Sequence, residues 1–596
     1  MHAVTLGAPS ITCSRSAHVV LTFAGYDWNA QAPQGAARRG SENAAHYGAA
    51  REPTMTSSHR SPARRIAALA AVALLVAACS SGSSDNSHRG ASTAPGSSSR
   101  PNVLFVLTDD MRFDDLQYLP HVKQLVGDAG MTFDNEFDNV TLCCPARTSI
   151  LRGQYSHNTG VLTNGGTTGG FETAHAINVE QVTVATAMHD AGYRTGLFGK
   201  YLNGYPNTVA PSYVPPGWDT WSSSSKGDAY GEFNYTLNQN GKQVDYGSKP
   251  EDYGTDVYSR QTTDFIDQAR ADGKPFFAYL AVYAPHQPAT PAPQDGDTFP
   301  GLQAPRDGAY DEADVSDKPQ YIQSLPLLGP RVQNRVDALA RRRAQSLQAV
   351  DRDVAALIAH LRDTGQLDNT YIVFTSDNGF HLGQHRMPAG KQTAYETDIH
   401  LPLLIRGPGV TAGAHVQAIT GNIDLAPTIA EIGGATLSDA PDGRSLLPFL
   451  RGQPPKEADW RQAYLLEHWL TSTNPQDRSA AAELEPDDLD QSSDSTDSSS
   501  PDSTSTTPTS IRAGKAALTN IPEYQGLRMA NFTYVEYSTG EKELYDLTKD
   551  PNELDNLAAG ADPALLATLH QRLDELRACK ADGCRTAENR PLALPG

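Results

Sequence analysis

Residues 102–110 read NVLFVLTDD, and this stretch decides the class of fold. Residues 103–107 form an unbroken apolar run, which is typical of a strand buried on both faces of a parallel sheet. The run ends in two adjacent carboxylates, Asp109 and Asp110. Comparable apolar runs recur down the chain between helix-compatible segments. This alternation predicts an α/β fold, with a large, mostly parallel sheet sandwiched by helices.

The elements that follow extend this pattern. A helical segment at 182–190 ends just before Gly192, a residue suited to the position after a helix. A longer helical segment, 336–362, stops near Gly365. The further strands predicted for the sheet are residues 193–198, 276–282, 371–375 and 401–405.

Ligands of open α/β sheets bind at the carboxyl ends of the strands, so the residues that follow each strand indicate the site. A turn or a helix cap explains any one of these residues, but their joint occurrence at four strand ends favours a functional site. They are Asp109 and Asp110 after the first strand, Lys200 and His286 after two others, and Asp377 and Asn378 after the fourth.

Four of these residues indicate a metal ion. Carboxylate and amide oxygens are hard ligands that suit Ca²⁺ or Mg²⁺, whereas zinc favours His and Cys. Three carboxylates crowded together also repel each other unless a cation lies between them. The predicted ligands are Asp109, Asp110, Asp377 and Asn378. Lys200 and His286 are suited instead to the charged group that the metal also binds.

Residues 142–153, LCCPARTSILRG, complete the predicted site. Pro145 suits the first turn of a helix that continues to Gly153. Cys143 then lies just before a helix N-terminus, where the dipole and the free N–H groups favour anions. The alternative is a pair of buried cysteines in a core loop. A zinc site is disfavoured, because no other Cys or His has suitable spacing nearby.

The N-terminal region carries an export signal. A basic flank containing Arg64 and Arg65 precedes an apolar run, 66–78, that is too short to span a bilayer comfortably. The run ends at Cys79 in the sequence Val-Ala-Ala-Cys, which resembles a bacterial lipobox. We therefore expect lipidation of Cys79. An ordinary signal peptide is the alternative.

This signal defines the boundaries of the N-terminal region. Residues 1–78 are an upstream segment and signal peptide, with either Met1 or Met55 as the true start. Residues 79–101 are rich in Ser and Gly and are expected to form a flexible tether.

A second low-complexity tract, 472–513, interrupts the C-terminal part of the chain. Ser, Thr, Asp and Pro dominate it, which predicts a disordered acidic insertion. Its flanks at 464–466 and 524–537 look like strands. We therefore expect a larger domain at 102–455, followed by a smaller α+β domain at 456–596 that carries the insertion.

Charge and cysteine content exclude several classes of protein. The 596-residue chain has a formal net charge of −21, which argues against nucleic-acid binding through its overall field. The same charge gives no long-range attraction for an anionic substrate, so an anion site must be built locally. Six cysteines are too few for a disulfide scaffold. Cys579 and Cys584 are nevertheless expected to form a local disulfide, because they are close together in an exported chain.

The pattern Cys143-x-Pro145-x-Arg147, followed by a helix and a glycine, resembles the sulfatase signature. C-x-P-x-R alone is moderately specific, but further sulfatase-like blocks follow in order and make the resemblance highly specific. It covers nearly all of residues 102–557. These blocks are residues 192–202, 284–286, 375–379, Lys391 with 401–403, and 544–551. Within the family, residues 143–145, 155–158, 199–203 and 377–385 look most like N-acetylglucosamine-6-sulfatases and bacterial arylsulfatases.

The resemblance implies an alkaline-phosphatase-like fold and a site chemistry. Cys143 would be oxidised to formylglycine by a formylglycine-generating enzyme and would act with one divalent metal, Ca²⁺ being favoured and Mg²⁺ the alternative. The implied catalytic residues are Cys143, Arg147, Lys200, His286 and Lys391, and the implied metal ligands are Asp109, Asp110, modified Cys143, Asp377 and Asn378. The expected substrate is a sulfated glycan or small molecule. The expected location is the bacterial cell surface through a lipid anchor, or otherwise the medium.

Two positions depart from the family pattern, and two other functions stay open. Many sulfatases have His two residues after the lysine, whereas this chain has Leu202, so Asn203 is the expected substitute. Phe198 is bulkier than the usual residue before Gly-Lys.

The alternative functions are a phosphate or phosphonate ester hydrolase of the same superfamily, and a surface-anchored glycan-binding protein with an inactive site.

Overall fold

The described residues of the computed structural model are 100–470 and 521–592. Within them, eleven strands form one large sheet. The strands are β1 (Asn102–Thr108), β2 (Met131–Phe137), β3 (Arg194–Gly199), β4 (Thr220–Gly227), β5 (Tyr235–Gln239), β6 (Lys242–Asp245), β7 (Phe276–Ala281), β8 (Thr370–Ser376), β9 (His400–Arg406), β10 (Ala414–Val416) and β11 (Thr420–Gly421). Their order across the sheet is β10-β2-β9-β8-β1-β7-β3-β4-β5-β6, and β11 also pairs with β2.

The strand of residues 102–108 lies at the centre of this sheet. β1 pairs in parallel with β7 on one side and with β8 on the other, and all seven of its residues are buried. The parallel region continues through β3 to β4. The strands beyond it, β9 on one side and β5 and β6 on the other, run antiparallel to their neighbours. The predicted α/β sheet is confirmed, and it is mixed at its margins.

Helices flank this sheet, except for the last two, which pack against the smaller sheet described below. They are α1 (Pro120–Val122), α2 (Cys143–Arg152), α3 (Ser156–Thr159), α4 (Gly170–Ala176), α5 (Val184–Asp190), α6 (Gly254–Ala271), α7 (Gln320–Gln323), α8 (Pro330–Asp363), α9 (Glu396–Ile399), α10 (Leu425–Gly433), α11 (Leu447–Leu450), α12 (Pro563–Arg577) and α13 (Asp582–Asn589). Two of them differ from expectation at their first residue. α8 begins at Pro330, six residues before the predicted start, because a proline at N1 is compatible with the first turn. α2 begins at Cys143 itself, and Gly153 ends it with a φ of +68°.

A smaller antiparallel sheet follows the large one. It consists of β12 (Ala463–His468), β13 (Tyr524–Met529), β14 (Phe532–Tyr537) and β15 (Lys542–Asp546) in that order. The predicted strand region 524–537 is thus a hairpin, with β13 and β14 paired around a turn. The predicted disulfide between Cys579 and Cys584 is confirmed. It joins the chain just after α12 to the first turn of α13.

Several expectations lie outside the described residues: the signal segment, Cys79, almost all of the tether and the acidic tract 472–513. Across residues 100–470 and 521–592, the structure contains no helix that is both long and apolar enough to cross a membrane.

Candidate active site

Four neighbouring strands end at one edge of the large sheet. The register pairs Thr108 with Ser376, and Leu107 and Gly199 with Ala281, so β1, β8, β7 and β3 end at nearly the same level. Parallel pairing therefore brings the residues that follow these strands to one place. The six strand-end residues chosen from the sequence, Asp109, Asp110, Lys200, His286, Asp377 and Asn378, all lie there and are all buried.

Cys143 faces this edge from the first residue of α2. Its thiol lies 3.3 Å from Asp109 Oδ1 and 3.8 Å from Asp110 Oδ1. Lys391 Nζ lies 2.7 Å from the Cys143 sulfur and 2.7 Å from Asp110 Oδ1. The loop before β9, which carries Lys391, therefore closes the site over the helix N-terminus.

Opposite charges alternate around Cys143. Lys200 Nζ contacts Asp109 Oδ2 at 2.6 Å. Arg147 Nε donates to Asp377 Oδ2 at 2.8 Å, and its Nη2 lies 3.5 Å from Asp109 Oδ1. Three carboxylates thus balance three cations, namely Asp109, Asp110 and Asp377 against Arg147, Lys200 and Lys391.

These contacts keep the groups charged despite burial. Burial alone would raise the pKa of Asp109, but the nearby charges, that of Lys200 foremost, lower it to about 2. The pKa of Asp110 is likewise lowered, because the charge of Lys391 and its neighbours outweighs burial. Burial would lower the pKa of Lys200, yet Asp109 raises it well above its ordinary value. The carboxylates are therefore ionised and available as metal ligands at neutral pH.

The donor set fits a divalent cation. Ligand atoms of Asp109, Asp110, Cys143 and His286 lie within 4.8 Å of one another, which makes this the one such cluster in the described part of the chain. Asp110 Oδ2 and Asn378 Oδ1 are buried, and neither accepts a hydrogen bond from any of the described residues. Buried oxygens without a donor are costly unless a cation satisfies them. A hard ion such as Ca²⁺ or Mg²⁺ suits these oxygens.

Asp377 also orients neighbouring groups of the site, a role that the sequence did not indicate. Its Oδ1 accepts from the backbone N–H groups of Asp110 and Asn378, at 3.0 and 2.9 Å. Its Oδ2 accepts from Arg147. The cluster within 4.8 Å contains His286 instead. Asp377 therefore orients the backbone of Asp110 and the side chain of Arg147, in addition to offering its own lone pairs.

The side chain of Arg147 offers a binding group for an anion. Arg147 is 1% exposed, and its Nη2 donates no hydrogen bond within the described residues. Burial would lower the pKa of Arg147, but Asp377 and Asp109 raise it. A permanently charged guanidinium with an unused N–H is a binding group for an oxyanion.

His286 enters the site with a defined orientation. Its Nδ1 lies 2.9 Å from the carbonyl oxygen of Gln287, to which it donates, and its Nε2 lies 3.5 Å from Asp110 Oδ2. The backbone contact fixes the ring, so that Nε2 is the atom presented to Asp110.

The sequence reasoning missed Tyr230, which lies in the loop after β4. Its ring is 4.6 Å from the His286 ring and 5.0 Å from Lys200 Nζ, measured from the ring centroid. Asn203, the expected substitute for the missing histidine, donates its amide to the Tyr230 hydroxyl at 3.4 Å. Leu202 packs in the hydrophobic core. No strand-end pattern marks Tyr230, so the presence of an aromatic residue in the loop after β4 was its only signal.

Comparison with known proteins agrees with this chemistry. The family model described as Sulfatase matches residues 101–435. N-acetylglucosamine-6-sulfatase of Capra hircus is 35% identical over 508 residues, covering 83% of this chain and 87% of that protein. The human enzyme of the same name is 35% identical over 500 residues, 82% of this chain and 86% of that protein. An extracellular sulfatase SULF-1 homolog of Drosophila melanogaster is 36% identical over 62% of this chain and 33% of its own length.

Solved structures share the fold. A protein solved in complex with its substrate, D-glucosamine-2-N,6-O-disulfate, superposes with a TM-score of 0.60 at 22% identity, covering 82% of this chain and 98% of that chain. A phosphonate monoester hydrolase from Silicibacter pomeroyi superposes with a TM-score of 0.57 at 26% identity, covering 81% and 96%.

Proposed function

The chain belongs to the sulfatase family and is a sulfuric ester hydrolase, and we propose that it removes 6-O-sulfate from N-acetylglucosamine with a formylglycine formed at Cys143. The observation that carries the proposal is the placement of Cys143 between Asp109, Asp110 and Lys391 at the start of α2. The choice of sugar is supported by two N-acetylglucosamine-6-sulfatases that match more than four fifths of this chain and of their own length.

A divalent cation held by Asp109, Asp110, Asp377 and Asn378, together with formylglycine at position 143, would supply an oxygen nucleophile at neutral pH. The thiol of Cys143 stands where that nucleophilic oxygen would lie. Ca²⁺ is our preferred ion and Mg²⁺ the alternative, since the available donors are mostly oxygens.

The cations of the site bind and orient the sulfate group. Arg147 donates from the unused Nη2, and the ammonium groups of Lys200 and Lys391 approach from two other directions. Negative charge shifts onto the sulfate oxygens and the departing oxygen as the ester bond breaks. Fixed cations in a site without bulk water stabilise that charge without reorganisation.

His286 is the proposed proton donor. As the sulfur–oxygen bond to the sugar breaks, the sugar oxygen keeps the electron pair and requires a proton. Protonated Nε2 of His286 can supply it, because Nδ1 is already committed to the Gln287 carbonyl. A sugar alkoxide is a poor leaving group, so this proton transfer matters more for a sugar sulfate than for an aryl sulfate.

We also propose that the protein is exported and matured before use. The basic flank, the apolar run and Cys79 support export, as does the similarity to an extracellular sulfatase. Lipidation at Cys79 is the finer proposal, with the anchor as the only membrane contact. A formylglycine-generating enzyme is the proposed maturation partner.

A substrate panel tests the proposed specificity. Purified mature protein is incubated with N-acetylglucosamine 6-sulfate, its 3-sulfate isomer, 4-nitrophenyl sulfate and 4-nitrophenyl phosphate, and kcat/KM is measured for each. We expect both sulfate esters to be turned over, with the sugar sulfate preferred to its 3-sulfate isomer. A higher kcat/KM on the phosphate ester would favour the phosphate or phosphonate hydrolase alternative.

Substitution of the nucleophile tests the formylglycine proposal. Cys143→Ser keeps an oxygen that can attack sulfur but has no second hydroxyl to expel the sulfate, so we expect a trapped sulfoserine and at most a single turnover. Cys144→Ser is the matched control and should stay active, since that position is variable in the signature. Sustained turnover by Cys143→Ser, or full activity of protein whose Cys143 is wholly unoxidised by peptide mass analysis, contradicts the proposal.

A further inference from the structure

The two adjacent carboxylates of the site require an unusual backbone conformation. Successive side chains of an extended chain point to opposite faces, so Asp109 and Asp110 would normally diverge after β1. Both nevertheless face the same sulfur atom, that of Cys143. Asp110 achieves this with a φ of +65°, in the left-handed region. The backbone at Asp110 is therefore turned so that two neighbouring carboxylates converge.

This conformation has to be held by its surroundings. A non-glycine residue in the left-handed region is strained, although aspartate tolerates this conformation better than most residues. The Asp110 N–H donates to Asp377, and the next N–H, that of Met111, donates to Ser376 Oγ at 2.9 Å. The Asp110 carbonyl oxygen accepts from Arg343 Nη2 at 2.6 Å. The turned backbone is thus held on its N–H side by β8 and on its carbonyl side by one arginine.

Arg343 comes from the long helix α8 and is 1% exposed. Besides the Asp110 carbonyl, its Nη1 lies 3.5 Å from the carbonyl oxygen of Pro285, the residue before His286. Its guanidinium lies 4.5 Å from the centre of the Phe380 ring, two residues beyond Asn378. One side chain therefore contacts the loops that follow β1, β7 and β8.

The charge of Arg343 is neutralised by a carboxylate that is not one of the proposed metal ligands. Nη2 also contacts Asp115 Oδ2 at 2.9 Å, within the 3-10 turn Phe113–Tyr118. A buried cation with its own carboxylate can lie close to the site without competing for the ligand carboxylates. These contacts require the planar guanidinium of an arginine. The ammonium group of a lysine cannot reach two carbonyls and a carboxylate and also stack on a ring.

From these contacts we infer that Arg343 is a positioning residue for the metal site. It holds Asp110 in the left-handed conformation and fixes the loop of His286, and so sets the affinity for the divalent ion. The inference rests on the metal ligands of the proposed function, but it concerns a residue that touches neither the ion nor the substrate.

Metal affinity tests this role directly. Arg343→Lys keeps the charge beside Asp115, and Arg343→Gln keeps one amide donor. Arg341→Met is the matched control, because Arg341 lies on the same helix and donates to the carbonyl of Leu302, at 3.0 Å. Each protein is treated with a chelator and titrated with Ca²⁺, and separately with Mg²⁺, by calorimetry. Turnover of 4-nitrophenyl sulfate and the thermal midpoint in chelator are measured in parallel.

We expect both Arg343 variants to bind the ion at least about tenfold more weakly, since second-layer contacts of metal ligands are typically worth about 10- to 100-fold in affinity. Their thermal midpoints in chelator should stay close to that of Arg341→Met, and excess ion should restore part of kcat. Folded Arg343→Lys and Arg343→Gln with wild-type ion affinity would overturn the inference. Loss of the folded state in both would also overturn it, because Arg343 would then serve the fold as a whole.

The outcomes separate this inference from the proposed function. Wild-type protein that hydrolyses sulfate esters, beside variants of unchanged ion affinity, contradicts only the role of Arg343. Wild-type protein that binds the ion but hydrolyses no sulfate ester contradicts the proposed function, and the comparison of affinities still decides the role of Arg343.

Discussion

His157 provides a prediction whose size follows from the structure. It lies in α3, directly after the helix that carries Cys143, and its side chain is 13% exposed. Nδ1 lies 2.8 Å from Glu467 Oε1 on β12, and Nε2 lies 3.0 Å from the carbonyl oxygen of Cys579. Asn158 Nδ2 lies 3.0 Å from His157 Nε2, but its two hydrogens are directed to Asp442 and to the same carbonyl, so His157 Nε2 acts as a donor. Both ring nitrogens therefore donate, as only the imidazolium can.

These contacts make the stability of the protein depend on pH. Burial alone would lower the pKa of His157, but the hydrogen bond and charge of Glu467, with the Cys579 carbonyl, raise it from 6.5 to about 9. Because the folded-state pKa exceeds the unfolded-state pKa, the stabilisation is fully present below pH 6.5 and is lost as the pH rises through 9. A pKa difference of about 2.5, at about 1.4 kcal/mol for each pKa unit, gives a stabilisation of about 3.5 kcal/mol at most.

The variant His157→Gln removes the titrating group and should remove this pH dependence. Urea unfolding is followed by tryptophan fluorescence for both proteins at about pH 6 and at about pH 9.5. We expect the difference in free energy of unfolding between them to be larger at the lower pH by about 2–3 kcal/mol. The control His415→Gln removes a mostly exposed histidine and should change stability little at either pH.

A double-mutant cycle with Glu467→Gln identifies the partner. If Glu467 holds the imidazolium, most of the pH-dependent difference should disappear in the Glu467→Gln background. An equal destabilisation by His157→Gln at both pH values would refute the reasoning, because a neutral histidine would then make the same contacts.

Four further predictions concern the site and the chain around it. Removal of the ion with a chelator should abolish binding of inorganic sulfate, measured by calorimetry, and added Ca²⁺ should restore it; unchanged sulfate binding by chelated protein contradicts the charge argument. Asp377→Ala should weaken Ca²⁺ binding and lower turnover by about 100-fold or more, with an unchanged circular dichroism spectrum. Tyr230→Leu should reduce kcat/KM more for N-acetylglucosamine 6-sulfate than for 4-nitrophenyl sulfate, because the proton proposed to come from His286 matters more for the sugar ester, whereas Tyr230→Phe should stay near wild type; equal losses on both esters would exclude this role. Deletion of residues 476–510 should leave the thermal midpoint and aryl sulfate turnover nearly unchanged, since that composition offers little apolar surface to a core.

The sheet and its strand-end residues could be predicted because both follow from local pattern. An unbroken apolar run such as residues 103–107 has one common structural explanation, and parallel strands necessarily end together. The register that pairs Thr108 with Ser376 then brings Asp109 and Asp377 to the same level, although they are far apart in sequence. The alternation of strands and helices also excluded an all-β or all-α fold.

The residues that hold the site in shape could not be predicted in this way. Arg343 lies in the interior of a long helix, where a sequence pattern indicates only a charged residue, and its contacts depend on how α8 packs against three loops. Tyr230 depends on the path of a loop. The left-handed φ of Asp110 leaves no mark in the sequence, because Asp-Asp after a strand is equally compatible with an ordinary turn.

The distribution of charge explains how an acidic protein can act on an anion. Its net charge of −21 is that of the whole chain, and exposed charges are screened beyond about 8 Å at physiological ionic strength. Inside the site three carboxylates offset three cations, so the protein alone provides almost no net attraction. A divalent cation would leave an excess of two positive charges, and one unit charge about 4 Å from another contributes about 4 kcal/mol in such surroundings. The carboxylates that converge through the turned backbone at Asp110 would therefore serve substrate binding indirectly, since they would retain the proposed ion that makes the site attractive to sulfate.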